Sequence, residues 1–230
     1  GGAGGMQMPK PKIPDCPKWS DLVKLRFEKE VVGFYISGHP LDQYRIELEN
    51  ACKPVTKIED YKNQDIAIGG SITDVKIRES RNGNKFAIFT VEDYEGHTEL
   101  ALFGKNFVEH QNMLDIGRFV YIKGRVQERY NRIGEWELSI KSISLLSEVK
   151  DQLFKQVVLK IELEKINEAF VDGIVNLAEK HEGKCNMKLE VFSDNEKIKL
   201  DLFSRKFKVD PNLSFIEDAK KLEVEECLVR

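Results

Sequence analysis

The sequence predicts a chain of the α+β class, mainly β, with a five-stranded barrel followed by a second, smaller domain. From Asp65 onward, apolar residues alternate with a period of two, which is the spacing of half-buried strands. The predicted strands form two groups that meet near residue 150. With 230 residues, 41% of them hydrophobic, the chain can bury a core without disulfides or a metal. We predict four regions, at residues 1–18, 19–64, 65–149 and 150–230.

The first two regions are predicted to be a linker and a short helical connector. Residues 1–18 are rich in glycine and proline, which favours a flexible, extended chain. Ser20 can cap a helix that runs to about Ile36, and Gly38 is suited to its left-handed end. A second short helix is predicted over residues 41–51.

The third region is predicted to contain five strands, with a short helix between the third and the fourth. Gly69-Gly70 permits a bend or bulge in the first strand, and Asn82-Gly83 is a strong signal for a hairpin after it. This order of strands and helix is typical of an OB-fold barrel. The strands are predicted at 66–77, 85–91, 98–103, 118–128 and 135–146, and the helix at 105–114.

The last region has the predicted order β-α-β-β-α-β, a split βαβ pattern. Gly183 is expected to end its first helix and Ser214 to cap its second. We interpret Gln152-Leu153-Phe154 as a strand leading out of a linker, rather than as a clamp-binding peptide. The strands are predicted at 157–161, 187–192, 198–203 and 222–229, and the helices at 164–181 and 214–219.

Signals for catalysis are absent from the sequence. There is no GxxxxGK[ST], GxSxG or HExxH motif of the kinds that bind phosphate, activate serine or hold zinc. Asp93 follows Glu92, but we interpret it as the cap of the next turn. No run of 18 apolar residues predicts a membrane span. The cysteines (Cys16, Cys52, Cys185 and Cys227) have no metal-ligand spacing, so we expect reduced thiols, a cytoplasmic location and no bound metal. Because the catalytic motifs are missing, we also expect no catalytic residue and no cofactor in this chain.

Basic residues cluster in two segments that border the binding groove of an OB barrel. Lys76–Lys85 contains four basic residues against one acidic residue, and Arg118–Arg132 contains five against one. Alternation assigns Phe86 to the outer side of its strand, where it could stack on a base, whereas Phe89 and Phe103 are predicted to be core. Because residues 65–150 carry 12 basic and 13 acidic groups, binding should be modest and salt-sensitive. The predicted residues for binding single-stranded nucleic acid are Lys76, Arg78, Arg81, Lys85, Phe86, Lys123, Arg125, Arg129, Tyr130, Arg132 and Trp136.

One continuous tract resembles a known family. The residues from Leu25 to Leu41 are similar to a signature of the bacterial replicative DNA polymerase III alpha subunit, where it follows the fingers and helix-hairpin-helix region and precedes an OB domain. The barrel resembles that OB domain in Phe86–Asp93, in Leu102-Phe103 and in Ile122–Val126. Residues 151–230 occupy the position of that family's tau-binding region.

The resemblance implies a non-catalytic C-terminal part of a DNA-directed DNA polymerase, a nucleotidyltransferase. That parent extends DNA with Mg²⁺ bound by carboxylates that lie upstream of these residues. It also implies that the OB fold guides the single-stranded DNA template. The implied protein partners are the tau subunit of the clamp loader, other replisome components and, through a motif upstream, the sliding clamp.

Two other interpretations remain open. The barrel could serve mainly as a protein-interaction module, which the net charge of -3 favours. It could also be the anticodon-binding barrel of a class II aminoacyl-tRNA synthetase, which would prefer RNA.

Overall fold

The computed structural model describes residues 19–33, 35–130, 132–195 and 197–230, so the predicted linker at 1–18 lies outside the described residues. The chain separates into two compact units, one ending at Asp42 and the other beginning at Gln43.

The first unit contains helix α1 (Asp21–Val32), which ends four residues before the predicted Ile36. Gly33, with φ 89°, takes the left-handed position that we predicted for Gly38, and its N–H donates to the carbonyl of Lys29. Beyond the helix, the Glu28 carboxylate accepts hydrogen bonds from the backbone N–H groups of residues 36 and 37, at 2.9 and 2.8 Å. The chain therefore turns back toward the helix instead of extending it.

The second unit begins with helix α2 and continues into the barrel. The predicted helix at 41–51 is a 3₁₀ turn over Pro40–Tyr44 followed by α2 (Arg45–Ala51). The barrel elements are β1 (Asp65–Glu79), β2 (Lys85–Glu92), β3 (His97–Leu102), α3 (Gly104–His110), β4 (Phe119–Glu128) and β5 (Trp136–Leu145). The five strands and the helix between the third and fourth are therefore confirmed.

All neighbouring strands of the barrel are antiparallel, in the order β3-β2-β1-β4-β5. The long β1 pairs with β4 through its first half and with β2 through its second half. The predicted bulge is present, but it lies between Ile72 and Asp74. The two glycines allow close approach instead: a Cβ on Gly69 would lie 2.6 Å from Leu48 of α2, and one on Gly70 would overlap the carbonyl oxygen of Glu92.

The barrel core is built from the inward-facing residues of all five strands. Phe89 is 1% exposed, which confirms its prediction as core. Val55 and Ile58, from a 3₁₀ segment at Val55–Tyr61, are also buried in this core. The predicted domain boundary at residue 65 therefore cuts through the packing of the barrel.

The C-terminal part forms a four-stranded sheet in the order β8-β7-β6-β9. The predicted order β-α-β-β-α-β is confirmed. The predicted split βαβ pattern would have another strand of the sheet between its first two strands. Here those two strands, β6 and β7, are direct neighbours and pair in parallel, so the unit is not split. The elements are α4 (Leu146–Leu153), β6 (Gln156–Glu162), α5 (Glu168–Lys180), β7 (Glu182–Ser193), β8 (Ile198–Val209), α6 (Leu213–Lys221) and β9 (Glu226–Val229).

Two local predictions in this region are wrong. Gly183 lies inside β7, where an added Cβ would be 2.5 Å from the backbone nitrogen of Asp210; the glycine permits close chain approach and does not end α5. Asn212, not Ser214, caps α6, because its side chain accepts the N–H of Phe215 at 2.8 Å.

Helix α4 replaces the linker that we predicted around residue 152. Its apolar residues Leu146 and Val149 are 0% and 1% exposed. It contacts α2, whose Ile46 is part of the core of the C-terminal sheet. The barrel and the C-terminal sheet thus share packing through these two helices. Of the helices that the structure describes, none is long and apolar enough to cross a membrane.

Candidate nucleic-acid interface

The outer surface of β1 and β2 brings together cationic and aromatic residues from the first predicted segment. Arg78 lies directly opposite Phe86, and Lys76 lies opposite Ile88. Because side chains alternate across a strand and Ala87 is buried on the inner side, these four side chains share the outer face. The predicted outward orientation of Phe86 is therefore confirmed.

Phe86 stacks on Phe103, which follows the end of β3. The ring centroids are 5.1 Å apart and the rings are inclined by 25°. Phe103 is 59% exposed, so its prediction as a core residue is wrong. The signal was present in the sequence, because Leu100 and Leu102 alternate as the apolar inner face of β3 and alternation then turns residue 103 outward; both leucines are buried in the structure. We call Phe86 and Phe103 the ring pair.

Three exposed cations border the ring pair. Among the residues that the structure describes, Arg78, Arg81 and Lys85 have no carboxylate within ion-pair distance, whereas Lys76 lies 2.6 Å from Asp74. Arg81 lies in the loop between β1 and β2, and Lys85 begins β2. Exposed cations that form no ion pair in the described chain, next to a stacked ring pair, suit a phosphate chain whose bases can stack.

A cleft of about 760 Å³ leads from the ring pair along the free edges of β3 and β5. Phe103 and Ile88 line it on one side, and Arg129 and Trp136 line it on the other. Asn106 of α3, which also lines the cleft, donates to the carbonyl of Ile140 on β5 at 2.6 Å. The cleft thus connects the outer face of β2 to the loop between β4 and β5.

The cations of the β4–β5 loop are paired with nearby carboxylates. Arg129 lies 3.5 Å from both Glu135 and Glu137, and Arg132 lies 3.2 Å from Glu135. Tyr130 is 87% exposed. A nucleic acid strand that uses these arginines must compete with the carboxylates for them.

Trp136 has two environments. It lines the cleft and also packs against the barrel core. The Lys62 ammonium lies 5.2 Å from the centre of its ring, at a distance typical of a cation–π contact. Sequence reasoning missed Lys62, because it is far from Trp136 along the chain.

Lys123 and Arg125 are not brought to the ring pair. Both are exposed on β4, which is separated from β2 by β1 in the sheet. Arg125 lies opposite Asp65, with 3.8 Å between the charged groups, and the Lys123 ammonium lies 5.5 Å from the ring centre of Tyr121. The predicted set of eleven residues therefore divides into separate surface regions.

Asp93 caps a turn, as predicted. Its carboxylate accepts the backbone N–H groups of Val55 at 2.8 Å, Glu95 at 2.8 Å and Gly96 at 3.1 Å. In the described parts of the chain, no group of three or more His, Cys, Asp or Glu side chains is arranged to hold a metal ion.

Comparison with known proteins assigns both halves of the second unit. Residues 66–146 match the family of OB-fold nucleic acid binding domains, and residues 157–224 match the C-terminal domain of the DNA polymerase III alpha subunit.

The similar curated proteins are DNA polymerase III alpha subunits. That of Aquifex aeolicus is 37% identical over 109 residues, which are 47% of this chain and 9% of the relative. Those of Pseudomonas fluorescens and Borreliella burgdorferi are 24% and 27% identical, over 84% and 89% of this chain and 16% and 18% of theirs. The chain thus spans less than a fifth of the length of these relatives.

Among solved structures, the mitochondrial single-stranded DNA binding protein Rim1 from S. cerevisiae is similar with a TM-score of 0.30 and 19% identity, covering 36% of this chain and 95% of that one.

Taken together, the two family matches and the alpha-subunit relatives assign this chain to the C-terminal region of the DNA polymerase III alpha subunit family, with an OB-fold domain of the nucleic-acid-binding type.

Proposed function

We propose that this chain is the non-catalytic C-terminal part of a DNA-directed DNA polymerase and that its barrel binds the single-stranded DNA template. The observation that carries the proposal is the ring pair, in which half-buried Phe86 stacks on exposed Phe103, bordered by Arg78, Arg81 and Lys85 without ion pairs among the described residues. A stacked ring pair beside exposed cations offers a platform for bases together with contacts for phosphates.

The proposed path of the strand begins at the β1–β2 loop, crosses the ring pair and follows the cleft toward Trp136 and Arg129. Each base that stacks on a ring contributes about 1–3 kcal/mol, and the cations contact phosphates. Stacking and phosphate contacts carry no sequence information. The barrel therefore holds a template of any sequence, as a replicative enzyme requires.

Residues 150–230 are proposed to dock a protein of the replisome. The proposed partner is the tau subunit of the clamp loader. We further propose a cytoplasmic parent enzyme whose Mg²⁺-binding carboxylates and sliding-clamp motif lie upstream of these residues. The C-terminal sheet supports a docking role through its long exposed edge strand β8.

The template proposal is tested by fluorescence anisotropy with labelled single-stranded DNA, duplex DNA and RNA over a range of salt concentrations. We expect the tightest binding to single-stranded DNA. For single strands, the slope of log K against log salt is about -0.7 per phosphate contact. Arg78→Ala together with Arg81→Ala should therefore reduce the slope by about 1.4.

Arg125→Ala provides the matched control. Arg125 is an exposed arginine on β4 of the same barrel, and it faces Asp65 of β1, away from the proposed path. It should leave the slope unchanged. An equal change in slope for Arg125→Ala and for the Arg78 and Arg81 variant would contradict the proposed path.

The protein-interaction alternative is favoured by one observation, the three carboxylates of Glu59, Glu99 and Glu137 that line the cleft. That alternative expects no binding to any of the three nucleic acids. Preference for RNA would instead support the anticodon-binding interpretation.

A further inference from the structure

The C-terminal sheet has one long edge strand. β8 (Ile198–Val209) ends the sheet order and pairs with β7 on one side. The strand at the opposite edge, β9, has four residues. An edge strand has unpaired backbone N–H and C=O groups, which can pair with a strand from another chain.

The apolar face of the sheet continues onto β8, where it is only partly covered. In one cross-strand row, Ile161, Val191 and Leu200 are 0%, 2% and 49% exposed. In the next row, exposure rises from 0% at Leu159 to 50% at Leu202. Since residues paired across strands lie on the same face, the two leucines extend the buried face beyond the cover that shields β6. One more strand beside β8 would cover them.

The charge of this edge is opposite to that of its domain. Residues 197–208 contain five basic residues and one acidic residue, whereas the rest of 151–230 contains nine basic and 16 acidic residues. Arg205, Lys206 and Lys208 are exposed and have no carboxylate within ion-pair distance in the described chain. Arg205 and Lys206 lie at a register shift, where β8 bulges away from β7. The backbone N–H of Phe207 donates to the Ser204 hydroxyl at 2.9 Å within this bulge.

We propose that the β8 edge docks an extended, acidic polypeptide segment of a partner protein, which adds to the sheet as a fifth strand. Backbone groups of the segment pair with the free edge of β8, its alternate apolar side chains cover Leu200 and Leu202, and its carboxylates pair with Arg205 and Lys206. This inference rests on the proposed partner docking by residues 150–230 and gives that docking a surface and a chemistry. β8 also carries an exposed ring, Phe203, but this ring lies on the opposite face of the sheet from Leu200 and Leu202, with the Lys188 ammonium 5.6 Å from its centre. The face that bears the two half-exposed leucines therefore suits a peptide better than a nucleic acid, which would need rings on which to stack.

The test selects 12-residue peptides from a displayed random library on the whole 230-residue chain. Binders that survive on the Leu200→Ser, Leu202→Ser variant are discarded. We expect the remaining peptides to alternate apolar residues with Asp or Glu. A synthetic peptide of this class should bind at least about tenfold more weakly to Arg205→Glu, Lys206→Glu, and hydrogen exchange should show that it protects the amides of β8.

Two control variants match these changes. Lys220→Glu reverses an exposed charge on α6, and Val108→Ser removes an exposed apolar side chain from the barrel helix α3. Neither variant should weaken binding of the peptide. Thermal melting checks that each variant is folded, and the charge-reversal variant keeps the test decisive if the leucine variant unfolds.

Four results would overturn the inference: enrichment of basic peptides, peptide binding that is unchanged in both β8 variants, a dimer in sedimentation that Leu202→Ser abolishes, or loss of single-stranded DNA binding when the charges of Arg205 and Lys206 are reversed.

Failure of this inference is distinguishable from failure of the proposed function. A partner that requires residues 150–230 but ignores the β8 variants refutes only this inference, whereas peptide binding without DNA binding refutes only the template role.

Discussion

Removal of the Phe103 ring gives the sharpest test of the proposed DNA path. A buried Phe→Ala change costs about 3–5 kcal/mol of folding free energy. Phe103 is 59% exposed, so we expect Phe103→Ala to cost roughly 1–2 kcal/mol and to leave the barrel folded. Loss of one stacking platform should weaken binding of single-stranded DNA by about 1–3 kcal/mol, which corresponds to roughly 5- to 150-fold in Kd.

The assay is anisotropy of a labelled oligonucleotide at constant salt, combined with thermal melting of each variant. Because the rings of Phe86 and Phe103 are 5.1 Å apart, each orients the other. The double variant should therefore lose less affinity than the sum of the two single variants.

Tyr94→Ala is the matched control. Tyr94 is an aromatic residue that is 45% exposed, at the β2–β3 turn and therefore at the opposite end of the hairpin from the ring pair. If Phe103→Ala and Tyr94→Ala weaken DNA binding equally, or if neither does, the reasoning from the ring pair is refuted.

Three further changes test the loop, the turn and the C-terminal sheet. Glu135→Gln removes the carboxylate partner of Arg132 and one of the two partners of Arg129, which keeps Glu137. Since surface ion pairs are each worth about 0–1 kcal/mol, the affinity for single-stranded DNA should rise up to about fivefold; a decrease in affinity would contradict competition by Glu135. Asp93→Ala leaves three backbone N–H groups without their acceptor and should lower the free energy of unfolding in denaturant by about 1–3 kcal/mol, whereas an unchanged midpoint would contradict the capping role. Hydrogen bonds from Lys180, Lys221 and His181 hold the pKa of Asp218 well below its usual 3.8, so its contribution to stability is complete above that pH and is lost as the pH falls below it. Asp218→Asn should therefore flatten the decline of Tm in strongly acidic buffer, and an unaltered decline would contradict this assignment.

The periodicity of the sequence was sufficient for most of the architecture. Strand alternation has a strong local signal because one face of each strand must be buried, so every end of the barrel strands was predicted to within two residues. The β-α-β-β-α-β order was predicted for the same reason. Helix α4 was missed because its apolar residues Leu146, Val149 and Leu153 follow directly on those of β5, and the change of period from two to helical spacing is too short to detect.

The site was predicted in part. Local patterns identified the cations around the β1–β2 loop and the outward direction of Phe86. They assigned Phe103 to the core because hydrophobicity was given more weight than alternation. They also grouped Lys123 and Arg125 with the site, although sheet order places these residues on β4, beyond β1.

The sequence by itself determined which residues alternate, where the chain turns and which segments are basic, because these properties depend on near neighbours along the chain. Only the tertiary structure decided that Phe103 stacks on Phe86, that Arg78 lacks an ion pair among the described residues while Arg129 has two, and that β6 and β7 are neighbours in parallel. Each of these depends on the register and order of strands that are distant in sequence. Alternation and turn residues specify the register of strands that are joined by a hairpin, whereas the order of strands that are distant in sequence is decided by the packing of whole sheets against helices.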